Sequence, residues 1–422
     1  MAGRDQAADN PERGGVLSHM KTQAKDVDVV FLSAVRTSFG TFGGTLKDFT
    51  AIDLAAAAAK AALERSGLTP RDIDHAVFGN ALQTSADAIY FARHVGLKAG
   101  LPIETPGLTV NRLCGSGFEA ITQGAQQILL GESNAVLCGG GESMSQAPHV
   151  VRGARWGLRL GPPAPLEDLL WASLTDSQCG FSMAETAENL AEQYQLTREE
   201  VDGYAERSQR LAKQAWDDRV FQDEVIGIPI KDPKTRQMVD FRADEHMRPE
   251  TTLDGLAKLK PYFKKDGLVT AGNASGICDG GAAVVVASEQ VATRKGLKPL
   301  GRLVAWTVAG VEPKYMGIGP VPAIRKLLQK TGMTFEQVDL VEVNEAFAPQ
   351  YVAVEKELGL PREKTNVHGG AIAIGHPLAA SGTRITAHLL HALRLKGGKY
   401  GIGSACIGGG QGIAVLVEAF PK

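Results

Sequence analysis

The sequence of 422 residues has no excess of either charge. It contains 45 lysines and arginines against 47 aspartates and glutamates, which leaves a formal net charge of −2. A protein dedicated to nucleic acid would carry a basic excess, so that class is excluded. Aromatic residues are few, at 6%. Apolar residues make up 44% of the chain, as in ordinary globular proteins, which excludes a chain that is disordered throughout.

Cysteine is also scarce, and long apolar runs are absent. The five cysteines are odd in number and widely spaced, and no CxxC pair occurs. A disulfide framework and a zinc ribbon are therefore disfavoured, and we expect a reducing compartment. No apolar run approaches the ~18 residues of a membrane-spanning helix. Residues 1–25 mix both charges without an apolar core, unlike a secretory signal or transit peptide, and we predict a disordered tail there.

Glycine is abundant by contrast, with 49 residues, and part of the sequence is repeated. Residues 63–79 (LERSGLTPRDIDHAVFG) and 328–344 (LQKTGMTFEQVDLVEVN) share one pattern. In each copy a helix ends at a glycine, a threonine caps a short turn and a buried strand follows. We place these strands at 75–78 and 340–343. This shared pattern favours duplication of one α/β unit; the alternative is two unrelated α/β halves that merely look alike.

Strands alternate with helices in both copies, which is typical of βαβ units and mainly parallel sheets. Residues 146–277 belong to neither copy and are richer in proline, charge and long helical stretches. We therefore predict an α/β protein in four parts. These are the tail (1–25), a first half (26–145 plus 278–297), an inserted, mainly helical segment (146–277) and a second half (298–422).

Cys114 stands at a predicted strand-to-helix junction, between a strand that ends at residue 110 and a helix over 118–130. A helix N-terminus lowers the pKa of a thiol and offers backbone N–H groups to an oxyanion. Glycines on its C-terminal side let a ligand approach the backbone. The junction therefore favours a nucleophile, with an inert buried cysteine as the alternative.

Three further polar residues are predicted at strand ends or on glycine-rich loops. His376 lies between glycine and proline, where no helix interior is tolerated, and is either a base for a thiol or a solvated loop residue. Cys406 precedes a glycine run and is either an acid/base or a small strand residue. Asn344 follows the strand at 340–343 and either holds water or an oxyanion, or only caps a helix. Because α/β sheets bind ligands beyond the carboxyl ends of their strands, we expect one shared cleft.

Phosphate-binding loops are missing: the sequence has no GxxxxGK[ST] motif and no GxGxxG turn suitably placed after a strand. Two cysteines and a histidine without such a loop indicate thioester chemistry. Two other classes stay open. One is a decarboxylating ketoacyl synthase, which would need a cysteine with two histidines and is disfavoured by Cys406. The other is an inactive acyl-CoA-binding protein.

Six segments resemble, in order, the motifs of the thiolase family: NRLCGSG (111–117), GGGESMSQAP (139–148), TAGNASG (270–276), VNEAFAPQ (343–350), GGAIAIGHP (369–377) and SACIGGGQG (404–412). The resemblance covers about residues 27–420 and is nearest to the general 3-ketoacyl-CoA thiolases. It implies duplicated halves in a layered α-β-α-β-α core and a homodimer or homotetramer. It also implies a location in the bacterial cytoplasm or, alternatively, in the mitochondrial matrix.

The resemblance further implies a reaction: reversible, CoA-dependent cleavage of a 3-ketoacyl-CoA to acetyl-CoA and a shortened acyl-CoA, with the reverse Claisen condensation. Cys114 would carry the acyl group and His376 would take its proton. Cys406 would be the acid/base on the acetyl-CoA carbon. Asn344 would hold a water that forms one oxyanion hole with His376, and the N–H groups of Cys114 and Gly408 would form the other.

In the family, the inserted segment binds CoA, which is a substrate; the resemblance implies no permanently bound cofactor and no metal. Four residues match positions along the CoA path: Met183, Arg248, Ser275 and Phe347. This sequence departs from the family with Ala379 in place of glycine, which would be strained at positive φ, and with His368 in place of asparagine. Ser182 replaces the histidine of short-chain biosynthetic members, which disfavours an enzyme restricted to acetoacetyl-CoA.

Overall fold

The structure is a computed structural model that describes residues 27–161, 163–232 and 234–422. The tail predicted at 1–25 lies outside these residues. The long strands of the main sheet are β1 (Val29–Thr37), β2 (His75–Gly79), β3 (Gly107–Val110), β4 (Ala135–Ser143), β5 (Cys278–Ser288), β6 (Gly301–Gly310), β7 (Leu340–Val343), β8 (Tyr400–Ile407) and β9 (Gln411–Ala419).

The described residues also form α-helices, most of which pack on this sheet. They are α1 (Ala51–Ser66), α2 (Phe91–Lys98), α3 (Ser116–Leu130), α4 (Leu169–Ser173), α5 (Met183–Gln193), α6 (Arg198–Asp217), α7 (Leu253–Ala257), α8 (Glu289–Lys295), α9 (Pro320–Thr331), α10 (Ala348–Leu358), α11 (Ala371–Ile374) and α12 (Leu378–Lys396).

The inserted segment contains the long helices α5 and α6, in agreement with the long helical stretches expected there. It also contains short strand pairs, which the prediction of a mainly helical segment missed: His149–Val150 with Glu167–Asp168, Thr175–Asp176 with Phe181–Ser182, and Ile228–Lys231 with Met238–Phe241. In the described part of the chain, no helix is both long enough and apolar enough to cross a membrane.

The strands follow the order β7-β8-β9-β6-β1-β5-β4-β2-β3. The two halves meet where Val29–Phe31 of β1 pairs with 301–303 of β6. β2 is parallel to β3 and β4, and β7 is parallel to β8, whereas the other neighbours along the order are antiparallel. The α/β class is confirmed, but the prediction of mainly parallel sheets is wrong. The last strand of the second half, for example, returns through the tight turn 408–410, which only antiparallel strands permit.

The repeated sequence pattern has the same local structure in both halves. Helices α1 and α9 end at Gly67 and Gly332, which adopt left-handed backbone angles of φ 75° and 68°. Thr69 and Thr334 then form capping boxes on short 3₁₀ turns. The strands β2 and β7 follow, as the sequence predicts.

Three apolar cores hold five layers together. In the first, α1 and α2 pack on the outer face of the first-half strands. In the second, α3 and α12 lie between the strands of the two halves. In the third, α9 and α10 cover the outer face of the second-half strands. This confirms the layered α-β-α-β-α arrangement. The two central helices touch closely, since a Cβ on Gly117 would lie 2.5 Å from the backbone nitrogen of Thr383.

The first glycine run lies inside its strand rather than after it. Gly139–Gly141 lie within β4. A Cβ on Gly140 would lie 1.9 Å from the carbonyl oxygen of Ala379, and one on Gly141 would lie 2.8 Å from Cβ of Ala55. Helices α12 and α1 thus press on opposite faces of the strand, which leaves no room for side chains.

Candidate active site

Cys114 lies on a 3₁₀ turn, Leu113–Gly115, between β3 and α3. The residue before it, Leu113, adopts a left-handed backbone with φ 46°. Ser116 fixes this turn because its Oγ accepts a hydrogen bond from the Arg112 N–H (2.8 Å) and donates to the Leu113 carbonyl (2.7 Å). The predicted strand-to-helix junction is therefore present, and the helix begins two residues earlier than predicted.

The environment of Cys114 keeps its thiol protonated. Burial raises the pKa of Cys114 to about 11; the backbone N–H of Gly408 acts in the opposite direction, and the carboxylate of Glu142 raises the pKa further. Backbone N–H groups do lower this pKa, as expected at a helix N-terminus, but desolvation outweighs them. A reaction through Cys114 at neutral pH therefore needs a base.

His376 is a buried loop residue between α11 and α12, and its backbone N–H donates to the Gly276 carbonyl at 3.0 Å. Its Nε2 lies 3.2 Å from Nδ2 of Asn344, and its Nδ1 lies 2.6 Å from Oγ of Ser381. Burial, reinforced by the charge of Arg384, lowers the pKa of His376 to about 3. The ring is therefore neutral near pH 7 and able to accept a proton, and the solvated alternative is wrong.

Asn344 follows β7, and its backbone N–H donates to the Ser404 carbonyl on β8 at 2.8 Å. The helix that follows begins only at Ala348, so the interpretation of Asn344 as a helix cap is wrong. Its Oδ1 is buried and has no hydrogen-bond partner within the described residues. A buried carbonyl oxygen of this kind is suited to accept a hydrogen bond from water.

Cys406 lies in β8, opposite Gly412 of β9. It is buried in a cluster with Met316 and Ala346. Burial raises the pKa of Cys406 well above its ordinary value, and the nearby Cys114 raises it further. The site therefore holds two neighbouring thiols, both protonated at neutral pH.

Three of the four residues predicted to line the CoA path lie at or next to the cluster around Cys406, and the fourth is exposed. Met183 and Phe347 pack on the cluster that contains Cys406. Ser275 donates its backbone N–H to the Ala346 carbonyl at 3.0 Å, next to Phe347. Arg248 is exposed, and its guanidinium donates to backbone carbonyls of residues 245–247 in its own loop.

Gly408 is placed close to both sides of the site. A Cβ there would lie 3.2 Å from Cδ1 of Leu113 and 3.2 Å from Sδ of Met183. The backbone of Gly408 thus lies between the turn that carries Cys114 and the inserted segment, and its N–H faces the Cys114 sulfur.

Sequence reasoning missed two buried carboxylates that hold the site together. Glu142 accepts hydrogen bonds from the backbone N–H groups of Leu82 (2.9 Å) and Ala379 (3.0 Å). Glu345 accepts from the hydroxyls of Tyr204 (2.5 Å) and Ser208 (2.7 Å), both on α6. The available signal was an acidic residue within an otherwise apolar or glycine-rich motif. Ala379 is helical rather than at positive φ, so the strain expected there is absent.

His368 and Cys278 complete the surroundings. The ring of His368 contacts His388, with Nδ1 2.9 Å from Nε2. Cys278, which carried no signal in the sequence, lies directly behind the histidine loop: a Cβ on Gly375 would lie 2.3 Å from its sulfur. All five cysteines are free thiols.

The site combines two thiols, a neutral imidazole and an amide within largely apolar surroundings. The side chain of Cys114 packs against a cluster of Leu82, Met144, Leu170 and Leu378. Such a wall excludes water and suits an apolar acyl chain. Cys406, His376 and Asn344 supply the polar groups that acyl transfer and carbanion chemistry require.

Family models for the N-terminal and C-terminal domains of thiolase match residues 29–290 and 297–419. Mitochondrial 3-ketoacyl-CoA thiolase of Homo sapiens is 57% identical over 391 residues, which cover 93% of this chain and 98% of the relative. A beta-ketothiolase of Cupriavidus necator is 46% identical over 392 residues, with 93% and 99% covered.

Solved structures of similar sequence also have the same fold over nearly the whole chain. The crystal structure of human mitochondrial 3-ketoacyl-CoA thiolase in complex with CoA superposes with a TM-score of 0.91 at 56% identity, covering 94% of this chain and 99% of that one. With both domains matched and close relatives aligned almost end to end, the chain belongs to the thiolase family.

Proposed function

We propose that the chain is an acyltransferase that cleaves 3-ketoacyl-CoA with CoA, giving acetyl-CoA and a shortened acyl-CoA, and that it also catalyses the reverse condensation. The observation that carries the proposal is the pair of neighbouring protonated thiols, Cys114 and Cys406, together with the neutral His376–Asn344 pair. His376 stands two residues before Leu378, which belongs to the apolar cluster around Cys114. One thiol is needed to receive the acyl group and the other to handle the proton at carbon.

The reaction balances with these groups alone. His376 accepts the proton of Cys114 as the sulfur attacks the keto carbon of the substrate. The bond between that carbon and the adjacent CH₂ breaks, and its electron pair leaves as the enolate of acetyl-CoA. Cys406 donates a proton to the enolate carbon. The thiol of an incoming CoA then gives its proton to the Cys406 thiolate and attacks the acyl-Cys114 thioester. The shortened acyl-CoA leaves, and Cys114 takes back the proton held by His376.

Expelling a carbanion requires stabilisation of the oxygen that carries its charge. A water held by the unpartnered Oδ1 of Asn344, together with His376, would stabilise the enolate oxygen. The N–H groups of Cys114 and Gly408 would stabilise the tetrahedral oxyanion on the acyl side. Losing one such donor typically raises the barrier by about 3–4 kcal/mol.

We propose that residues 146–277 form the part that binds CoA as a substrate, with no permanently bound cofactor. Met183 and Phe347 would line the path of the pantetheine arm, because they pack beside Cys406. Ser275 lies in the loop next to them. Arg248 is exposed, as expected for a residue that meets the polar end of CoA near solvent.

The general 3-ketoacyl-CoA subtype is favoured over an enzyme restricted to acetoacetyl-CoA. The chain is 57% identical to the human 3-ketoacyl-CoA thiolase and 46% identical to the acetyl-CoA acetyltransferase of Chromobacterium violaceum. Ser182 serves as the N-cap of α5, where its Oγ accepts from the Glu185 N–H. An inactive binding protein is disfavoured because the chain retains all four polar residues: Cys114, His376, Cys406 and Asn344.

A homodimer or homotetramer is part of the proposal. Strand β3 lies at the edge of the described sheet, and exposed apolar side chains lie on it or near it: Ile89, Tyr90, Ile103 and Leu108. An edge strand with apolar neighbours suits pairing with a second copy. A reducing compartment, either bacterial cytoplasm or mitochondrial matrix, fits five free cysteines.

The experiment is a thiolysis assay with 3-ketoacyl-CoA substrates from four to sixteen carbons, run with free CoA. We expect turnover of substrates longer than acetoacetyl-CoA. Activity on acetoacetyl-CoA alone would support the restricted alternative. Binding of acyl-CoA without turnover at any length would support the inactive one.

A further inference from the structure

His376 has one hydrogen-bond partner at each ring nitrogen. Nδ2 of Asn344 lies 3.2 Å from Nε2, and Oγ of Ser381 lies 2.6 Å from Nδ1. All three side chains are buried. Ser381 lies in the first turn of α12, five residues after the histidine.

A second contact of Ser381 determines where its single hydroxyl hydrogen points. Its Oγ lies 3.1 Å from the carbonyl oxygen of Pro377, one helical turn earlier. A carbonyl oxygen can only accept, so the hydroxyl donates to Pro377 and accepts from His376. The hydrogen of the neutral imidazole ring is then on Nδ1.

The contact at the other ring nitrogen requires the same tautomer. The amide nitrogen of Asn344 can only donate, so Nε2 must present its lone pair. Two independent contacts therefore agree. The unprotonated nitrogen of a neutral histidine is the one that accepts a proton, and in His376 this atom is Nε2.

We propose that Ser381 is a positioning residue that holds the imidazole of His376 in the tautomer able to accept a proton at Nε2. The inference rests on the role proposed above for His376 as the base for Cys114. It adds that this role depends on a hydroxyl group of helix α12.

A neutral partner of this kind acts differently from the carboxylate of a catalytic triad. A carboxylate orients the ring and also stabilises the imidazolium, whereas a hydroxyl only orients it. This agrees with the low pKa of His376, about 3, which follows from burial and the charge of Arg384. Because the ring stays neutral, its surroundings must select the tautomer rather than the charge.

Removing the hydroxyl would leave the helix turn intact. The carbonyl of Pro377 also accepts from the backbone N–H groups of Ala380 (2.9 Å) and Ser381 (3.1 Å). The loss would fall on Nδ1 of His376, which would become a buried donor without an acceptor. Such a group is costly, and the ring would shift toward the tautomer with its hydrogen on Nε2.

The test compares Ser381→Thr with Ser381→Val in the full-length protein. The two variants add the same volume and differ only in whether a hydroxyl is present. The thiolysis kcat and KM are measured for each, with nitrogen-15 spectra of histidine-labelled protein to identify the tautomer of His376. The control, Thr386→Val, removes another buried hydroxyl of α12, which donates to the Gly382 carbonyl at 2.9 Å.

We expect Ser381→Thr and Thr386→Val to keep the wild-type kcat and an Nδ1-protonated ring. Ser381→Val should lose about 10- to 100-fold in kcat, as is typical for residues that orient a functional histidine. Its KM for CoA should not change, and its spectrum should shift toward the Nε2-protonated form. Ser381→Ala adds no volume and repeats the test if the larger side chains prevent folding.

The proposal is overturned if Ser381→Val matches Ser381→Thr in both readouts, or if Thr386→Val loses as much activity. A different result would contradict the proposed function: full activity in His376→Ala would show that His376 is not the base for Cys114. The nitrogen spectra would still report whether Ser381 sets the tautomer, so the two failures can be told apart.

Discussion

Cys138 and Cys406 lie in corresponding strands of the two halves. Cys138 directly precedes a run of three glycines, and Cys406 stands two residues before the start of another. Cys138 is in the middle of β4, where it pairs with Val284 of β5. Its sulfur lies against helix α3, since a Cβ on Gly124 would be 2.4 Å from it. Cys406 is one residue from the end of β8 and is close enough to Cys114 for the two thiols to influence each other.

The glycine runs explain why the two cysteines differ. In the first half the glycines continue the strand because helices press on both of its faces. In the second half, Gly409 and Gly410 adopt φ 81° and 83° and turn the chain into a hairpin. The duplicated unit thus supplies the scaffold twice, but only the strand that ends early brings its cysteine next to Cys114.

The largest expected effect comes from removing the proposed nucleophile, with a cysteine of the first-half strand as the control. Cys114→Ala should reduce thiolysis by a factor on the order of 10⁴ or more, because no other group can carry the acyl chain. Cys138→Ala is the matched control and should retain wild-type kcat. Appreciable turnover by Cys114→Ala would contradict the account.

Cys406→Ser should separate the two chemical steps. A serine hydroxyl is a much weaker acid than a thiol, so exchange of the methyl protons of acetyl-CoA with solvent should fall by about 10²–10⁴-fold. Acylation of Cys114 should persist, because it does not need that proton. The control Cys138→Ser should exchange normally. If exchange survives in Cys406→Ser, the acid/base is another group.

The pKa values of the site predict how its rate depends on pH. His376 loses its proton above about pH 3 and Cys114 keeps its own below about pH 11. Acylation by acetyl-CoA should therefore be nearly independent of pH between those limits. Without the base, in His376→Ala, the rate should fall by about 10²–10⁴-fold at pH 7. It should then rise tenfold per pH unit, as the thiolate fraction grows. A flat profile in the variant would show that His376 is not the base.

The glycine runs can be compared through stability. Gly140→Ala would place a Cβ 1.9 Å from a backbone carbonyl, and we expect it to lower the free energy of unfolding by about 3 kcal/mol or more. Gly409→Ala has open space around its Cβ and should cost only about 1–2 kcal/mol for its left-handed backbone. Denaturant unfolding measures both. Equal losses would mean that the two runs do not differ as described.

Much of the fold was predictable because local rules decide it. Gly67 and Gly332 end helices, and Thr69 and Thr334 cap turns, as short-range patterns require. The extended conformation of Gly139–Gly141 was not predictable from the sequence, because it depends on packing against α1 and α12, which are distant along the chain. Strand direction was likewise set by how the chain returns to the sheet.

The site shows the same division. Its main residues were predicted from strand ends and family motifs, but their electrostatics were not. The pKa of Cys114 depends on burial by the apolar cluster around it, which no local pattern reveals. Ser381 and Glu142 act through partners that only the folded chain brings within reach.

The most direct test of the account is mass spectrometry of the full-length protein after incubation with acetyl-CoA. We predict a single covalent acetyl group, mapped by proteolysis to Cys114, in the wild type and in Cys406→Ser, and none in Cys114→Ala. An acetyl group on Cys406 or on another residue of the wild type would contradict the account, as would acetyl-CoA binding with no covalent adduct.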